Sequence, residues 1–90
     1  MDPALIVINP NSSARVTAGI DAAMDPLRRF GIPIRCETLA EGPPGIESQC
    51  QADLTIAPML ALAARLEPQA AGFVIACFGD PGLHALRDAT

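Results

Sequence analysis

Gly-Phe-Val-Ile-Ala-Cys-Phe-Gly-Asp-Pro-Gly-Leu, residues 72–83, passes from an apolar run through a thiol into turn formers. Phe73 to Ala76 form the short continuous apolar run of a strand buried on both faces of a parallel sheet. Phe78 and Gly79 follow Cys77 as a tight turn. Asp80-Pro81 then reads as a helix opening, an N-cap carboxylate with proline at the first helical position. Cys77 is thus expected at the carboxyl end of a central strand, the edge where open α/β sheets bind ligands. A thiol there gains reactivity from unpaired backbone N–H groups and the positive end of a helix. A small buried core cysteine is equally compatible with the position.

Ninety residues, half of them hydrophobic, suffice for one small domain. Only three are aromatic, all Phe, so the core must be aliphatic. A net charge of −4, with six scattered arginines and no lysine, argues against a nucleic-acid surface. No apolar run approaches the roughly 20 residues of a membrane span. Met1-Asp2-Pro3 does not open like a signal peptide, and three widely spaced cysteines do not suggest a disulfide framework. A reducing cytoplasm is the expected location. Cys36, Cys50, Cys77 and the lone His84 lack metal-ligand spacing, so no metal is expected.

Ala4 to Ile8 is a second continuous apolar run and reads as the first strand. The turn formers Asn9-Pro10-Asn11-Ser12-Ser13 follow it. From Ala14 to about Phe30, Val16, Ile20, Ala23, Met24 and Leu27 recur at helical spacing; Pro26 signals a kink or early stop, and Gly31 an end. Ile32 to Leu39 alternates and suits an edge strand. Ala40 to Glu47 is a loop around Gly42-Pro43-Pro44-Gly45. Ser48 to Leu66 is helical, either kinked at Pro58 or split into two helices.

The β-α-β-α-β-α order gives an α/β lobe, and right-handed crossovers with the second strand at an edge give a parallel sheet ordered 2-1-3. Strands 1 and 3 are then neighbours, and the Asn9–Ser13 loop and Cys77 line one crevice. This topology also makes strand 3 an edge, although its sequence reads as buried. Residues 1–90 are therefore expected to form a single lobe, the first part of a longer protein.

Three motifs lie along this frame: Ile8-Asn-Pro-Asn-Ser-Ser13 with Thr17, Glu41-Gly-Pro-Pro-Gly-Ile-Glu-Ser48, and Ala76-Cys-Phe-Gly-Asp-Pro-Gly-Leu83. In this order and spacing they resemble the hydantoin racemase branch of the aspartate/glutamate racemase superfamily. The resemblance implies one lobe of a two-lobed fold, with the active site between lobes and one catalytic cysteine from each. It implies cofactor-independent racemisation of 5-substituted hydantoins, or of the related ureide allantoin. Cys77 would be this lobe's acid/base. Asn11 and Ser12 would hold the polar edge of the ring, and Pro44, Gly45 and Ile46 would wall the pocket. Phe78 and Gly79 would contact the substrate beside the cysteine. The opposing cysteine would come from a missing second lobe, or from a homo-oligomer that sets Cys77 against its twin. The chemistry agrees: two thiols can exchange acid and base roles across a stereocentre, and the N–H groups at Asn11–Ser13 are candidate donors to the enolate.

Cys36, in the edge strand, and Cys50, at a helix start, read as structural. A Cys77–His84 hydrolase fails on reach, since seven helical residues rise about 10 Å. A cysteine phosphatase fails because Leu83 stands where a phosphate-clamping arginine is needed and Asp80 repels the anion. Asp21, Asp25, Glu67 and Asp88 read as helix-surface or helix-end charges. The alternative function is a non-catalytic lobe that binds a small ligand or another protein.

Overall fold

The computed structural model describes residues 2–90. Its sheet is parallel and three-stranded: β1 (Ala4–Asn9) lies between β2 (Ile34–Thr38) and β3 (Ala70–Ile75), the expected order 2-1-3. Ile6 and Ile8 point to one face and pack with Leu39, Met59 and Leu62; Leu66, Ala70, Phe73 and Ile75 flank them. The opposite face of β1 and β2 carries α1 (Ala14–Ala23), which lies against β2. Successive right-handed crossovers on either side of a central strand put their helices on opposite faces in this way.

Ser13 caps α1, its hydroxyl accepting from the Val16 N–H at 3.2 Å. The helical stretch expected to Phe30 breaks at Met24 and resumes as α2 (Asp25–Arg28), with Pro26 inside the new first turn. Gly31, with φ of +83°, ends it. The apolar stripe of α1 and α2 is not its core face: Val16 and Leu27 are exposed, and Thr17 is the buried residue of α1. A three-stranded sheet is too narrow to cover the whole stripe.

The second helical region is two helices, α3 (Gln49–Leu54) and α4 (Ile56–Leu66), divided at Thr55 and not at Pro58. Pro58 is the third residue of α4, where no intrahelical acceptor awaits an N–H. A 3-10 turn, Glu67–Gln69, leads into β3.

Two expectations for the last third need correction. Among the described residues, none of β3 is fully buried and β3 is an edge of the sheet, where its apolar run reads as a strand covered on both faces. Further, α5 begins at Leu83 and runs to Ala89, without a cap from Asp80. Its N-cap is Gly82 at φ +76°. A Cβ at Gly82 would lie 2.9 Å from Met59 Cε and 3.2 Å from Ile56 Cγ1, side-chain atoms of α4 that would have to give, and the positive φ itself favours glycine here. Asp80 itself adopts φ +44°, a conformation short polar side chains tolerate better than most. Among the described residues, no helix is long and apolar enough to cross a membrane.

Candidate active site

Parallel pairing of β1 with β3 brings Asn9 and Cys77 out at the same end of the sheet. Ile8 pairs with Ile75, and the Ala76 N–H donates to the Ile8 carbonyl at 2.9 Å, extending the ladder to the residue before Cys77. Three loops meet there: Pro10–Ser13, Leu39–Ser48 and Ala76–Gly82.

Asn9 organises the first loop. Its side chain is buried, and its Nδ2 lies within hydrogen-bond distance of Asn11 Oδ1 (2.9 Å), Thr17 Oγ1 (3.0 Å) and the Ser13 carbonyl (3.2 Å). Asn9 Oδ1 accepts from the Asn11 N–H at 3.2 Å, and Thr17 meets Thr38 of β2 hydroxyl to hydroxyl at 2.6 Å. Burying this many polar groups is tolerable because each is paired. Asn9 reads in the sequence only as a turn former. The signal for its larger part is an amide placed directly after an apolar strand, with Thr17 one helical turn beyond Ser13.

The second loop docks on the first through backbone. Ser12 donates to the Pro43 carbonyl at 2.9 Å, and Leu39 to the Asn9 carbonyl at 2.9 Å. A Cβ on Gly42 would lie 2.4 Å from the Pro10 carbonyl oxygen, so only glycine permits this approach.

These bonds alter one part of the expected chemistry. The Asn11 N–H is engaged by Asn9, that of Ser12 by Pro43, and that of Ser13 by Asn11 Oδ1 at 2.9 Å. The start of α1 therefore presents no free N–H from Asn11 to Ser13 to an enolate. The Asn11 Nδ2 and the Ser12 hydroxyl take no part in this network.

Cys77 is half-buried and stands between two open concavities. One, of about 450 Å³, is lined by Ile20, Ala76, Cys77, Phe78 and Asp80. The other, of about 560 Å³, lies between residues 46–53 and the Cys77–Gly82 loop, so that Ile46 and Gly79 share a wall with Cys77 and Phe78. The Asp80 N–H donates to the Cys77 carbonyl at 3.1 Å and closes a turn around Phe78 and Gly79; the Leu83 N–H donates to Asp80 at 3.1 Å and closes the next. Phe78 projects fully into solvent. Asn11, Ser12, Pro44 and Gly45 sit on the neighbouring loops and line neither concavity.

Neither remaining cysteine lines these concavities. Cys36 is on β2, its thiol pushed up from the ordinary value first by burial and then by the charge of nearby Asp21. Asp21 is held below the usual carboxylate range by its hydrogen bond from Arg28, at 2.6 Å. Arg28 also pairs with Asp25 at 2.9 Å. Cys50 is exposed on α3, and His84 is exposed on α5.

Comparison with known proteins fits this arrangement. The model of a family described as Asp/Glu/Hydantoin racemase matches residues 5–90. A hydantoin racemase of Pseudomonas sp. (strain NS671) is 39% identical over 85 residues, covering 93% of this chain and 34% of the relative. One from Paenarthrobacter aurescens is 36% identical over 90 residues, covering 96% and 37%. One from Rhizobium meliloti is 34% identical over 83 residues, covering 91% and 34%. The chain thus spans about a third of the length of these curated relatives. No solved structure matches it.

Proposed function

Because the chain belongs to the Asp/Glu/hydantoin racemase family, we propose that it forms one lobe of a cofactor-independent racemase and contributes Cys77 as one of two opposed acid/base groups. The substrate is a 5-substituted hydantoin or the related ureide allantoin. One observation carries the reading: Cys77 emerges directly beyond the paired carboxyl ends of β1 and β3, half-buried and open to two concavities.

The hydrogen on C5 of a hydantoin is acidic because the adjacent carbonyl accepts the charge left by its removal. Cys77, as thiolate, takes that proton from one face, and a second acid returns a proton to the other. Thiols suit both roles because their ordinary pKa lies within reach of neutral pH. The enolate oxygen needs preorganised donors. The turn at Cys77 offers the Phe78 and Gly79 N–H groups, since the bond that closes it uses the Asp80 N–H alone. Asn11 Nδ2 and the Ser12 hydroxyl complete the polar side, and Pro44, Gly45 and Ile46 stand behind. The second acid/base comes from further polypeptide, since neither Cys36 nor Cys50 lines the concavities at Cys77.

The test replaces the matching third of the Pseudomonas relative with residues 1–90. Decay of optical rotation of an enantiopure 5-substituted hydantoin is then followed in D2O. The chimera is expected to racemise with deuterium entering C5, and Cys77→Ala to lose about 10²-fold or more of that rate. The 90-residue chain alone is expected to give only the buffer rate. A chimera that keeps its full rate with Cys77→Ala would overturn the proposal.

A further inference from the structure

A backbone N–H can only donate, and two of them fix the side-chain amides of the first loop. The Ser13 N–H meets the Asn11 side chain at 2.9 Å, so the atom it meets is the amide oxygen. The Asn11 N–H meets the Asn9 side chain at 3.2 Å, which makes that atom an oxygen as well. Asn9 Nδ2 is left as a donor, and it reaches the same Asn11 Oδ1 at 2.9 Å. Asn11 Oδ1 thus accepts twice from within the loop. Turning the Asn11 amide over would set Nδ2 against both donors, which is costly at a half-buried position. The amide is locked with its oxygen inward, and what it can offer beyond the loop is Nδ2.

Asn9 is locked in turn. Its side chain is buried, and its Nδ2 also lies 3.0 Å from Thr17 Oγ1 and 3.2 Å from the Ser13 carbonyl. Thr17 Oγ1 is 2.6 Å from the hydroxyl of Thr38, the last residue of β2. A polar relay therefore runs from β2 through the first turn of α1 to Asn11. Every link is a bond made inside the lobe, so the orientation of Asn11 does not depend on what covers the sheet edge.

We propose that Asn9 is a positioning residue, which holds the Asn11 amide so that the loop presents an N–H donor to the substrate and never an acceptor. The inference rests on the racemase reading of this edge and adds the orientation of the ring. A hydantoin alternates carbonyl oxygens with N–H groups. A ring N–H turned towards Asn11 Nδ2 would set donor against donor, whereas a carbonyl pairs with it. Of the two carbonyls, the one adjacent to C5 takes up charge when the proton leaves. A fixed donor there binds the enolate more strongly than the ground state. The ring is held with that carbonyl towards Asn11 and with C5 towards Cys77. Asn9 touches no substrate atom and acts through Asn11 alone.

The amide geometry is read in the 90-residue chain, in which Asn9 and Asn11 are the only asparagines. By hydrogen exchange, the side-chain amide of Asn9 is expected to exchange at least about ten-fold more slowly than that of Asn11. Equal exchange would overturn the proposal. Catalysis is read in the chimera described above. Asn11→Ala is expected to lower kcat about 10²-fold with little change in KM, and Asn9→Ala to lower it about ten-fold in the same way. Once Asn11 is replaced by alanine, Asn9→Ala should cost less than about two-fold more. Asn11→Asp keeps the inward oxygen but removes the outward donor, so it should lose as much as Asn11→Ala; it stands as a test even if the alanine variants unfold. A chimera that needs Cys77 but keeps its kcat with Asn11→Asp would overturn the proposal and leave the racemase reading in place. So would losses at Asn9 and Asn11 that simply multiply, or a loss at Asn11 confined to KM. Activity indifferent to Cys77→Ala would overturn both.

Discussion

The backbone N–H of Ser12 donates to the carbonyl of Pro43 at 2.9 Å, and this bond joins the loop after β1 to the loop after β2. Two glycine-permitted approaches and one buried amide hold the same edge of the sheet. Each can be probed separately.

Gly42→Ala drives a methyl group to within 2.4 Å of the Pro10 carbonyl oxygen, a backbone atom that cannot swing aside. The loop must lift off, and the expected loss is about 1–3 kcal/mol in urea denaturation. Faster hydrogen exchange at Ser12 should accompany it. An unchanged midpoint would mean that the contact is looser than described.

Asn9→Ala removes the amide that ties Asn11, Ser13 and Thr17 together. Buried partners left unpaired cost about 1–3 kcal/mol, and the effect should be local. Exchange protection is expected to fall at Asn11 and along the first turn of α1 while β3 keeps its own. Global unfolding without a local phase would contradict this.

Different effects are expected at two of the three left-handed positions, Gly82 and Asp80. Gly82→Ala meets both an unfavourable φ and the Met59 side chain, and should lose about 1–3 kcal/mol. Asp80→Gly relieves the strain of φ +44° and caps nothing, so the stability change should stay within about 1 kcal/mol and need not be a loss. A large loss on Asp80→Gly would restore the capping role that the sequence suggests.

Titration separates Cys36 from Asp21. The Cys36 thiol is raised in the folded state, so its contribution is complete below the unfolded value near 9.0 and is lost as pH rises through the folded value. Cys36→Ala should flatten the alkaline limb of stability against pH. Asp21 is depressed, so its contribution is present above the unfolded value of 3.8 and fades as pH falls through the folded one; Asp21→Asn should flatten the acid limb. In the native state, iodoacetamide should modify exposed Cys50 before Cys36.

The topology was legible because its signals are local: continuous apolar runs at Ala4–Ile8 and Phe73–Ala76, turn formers after each, and crossover handedness. The helix boundaries were not, and the two prolines show why. Pro26 and Pro58 each sit within the first turn of the helix that follows the break, so each marks a beginning and not an end. Other misses depend on distant partners. Gly82 starts α5 because α4 lies against it, and the Ser12 N–H is engaged because Pro43 arrives from another loop. At the candidate site, the three motifs read from the sequence do supply loops at one edge, but the buried amide of Asn9 that shapes the first of them gave little advance notice.

Phe78 holds its whole ring in water immediately after Cys77. Any surface that closes over this edge must remove the ring and the thiol from solvent together. Covering such a ring gains about 1.5–3 kcal/mol. A surface drawn in by the phenyl ring would thereby shield the sulfur beside it in the same step.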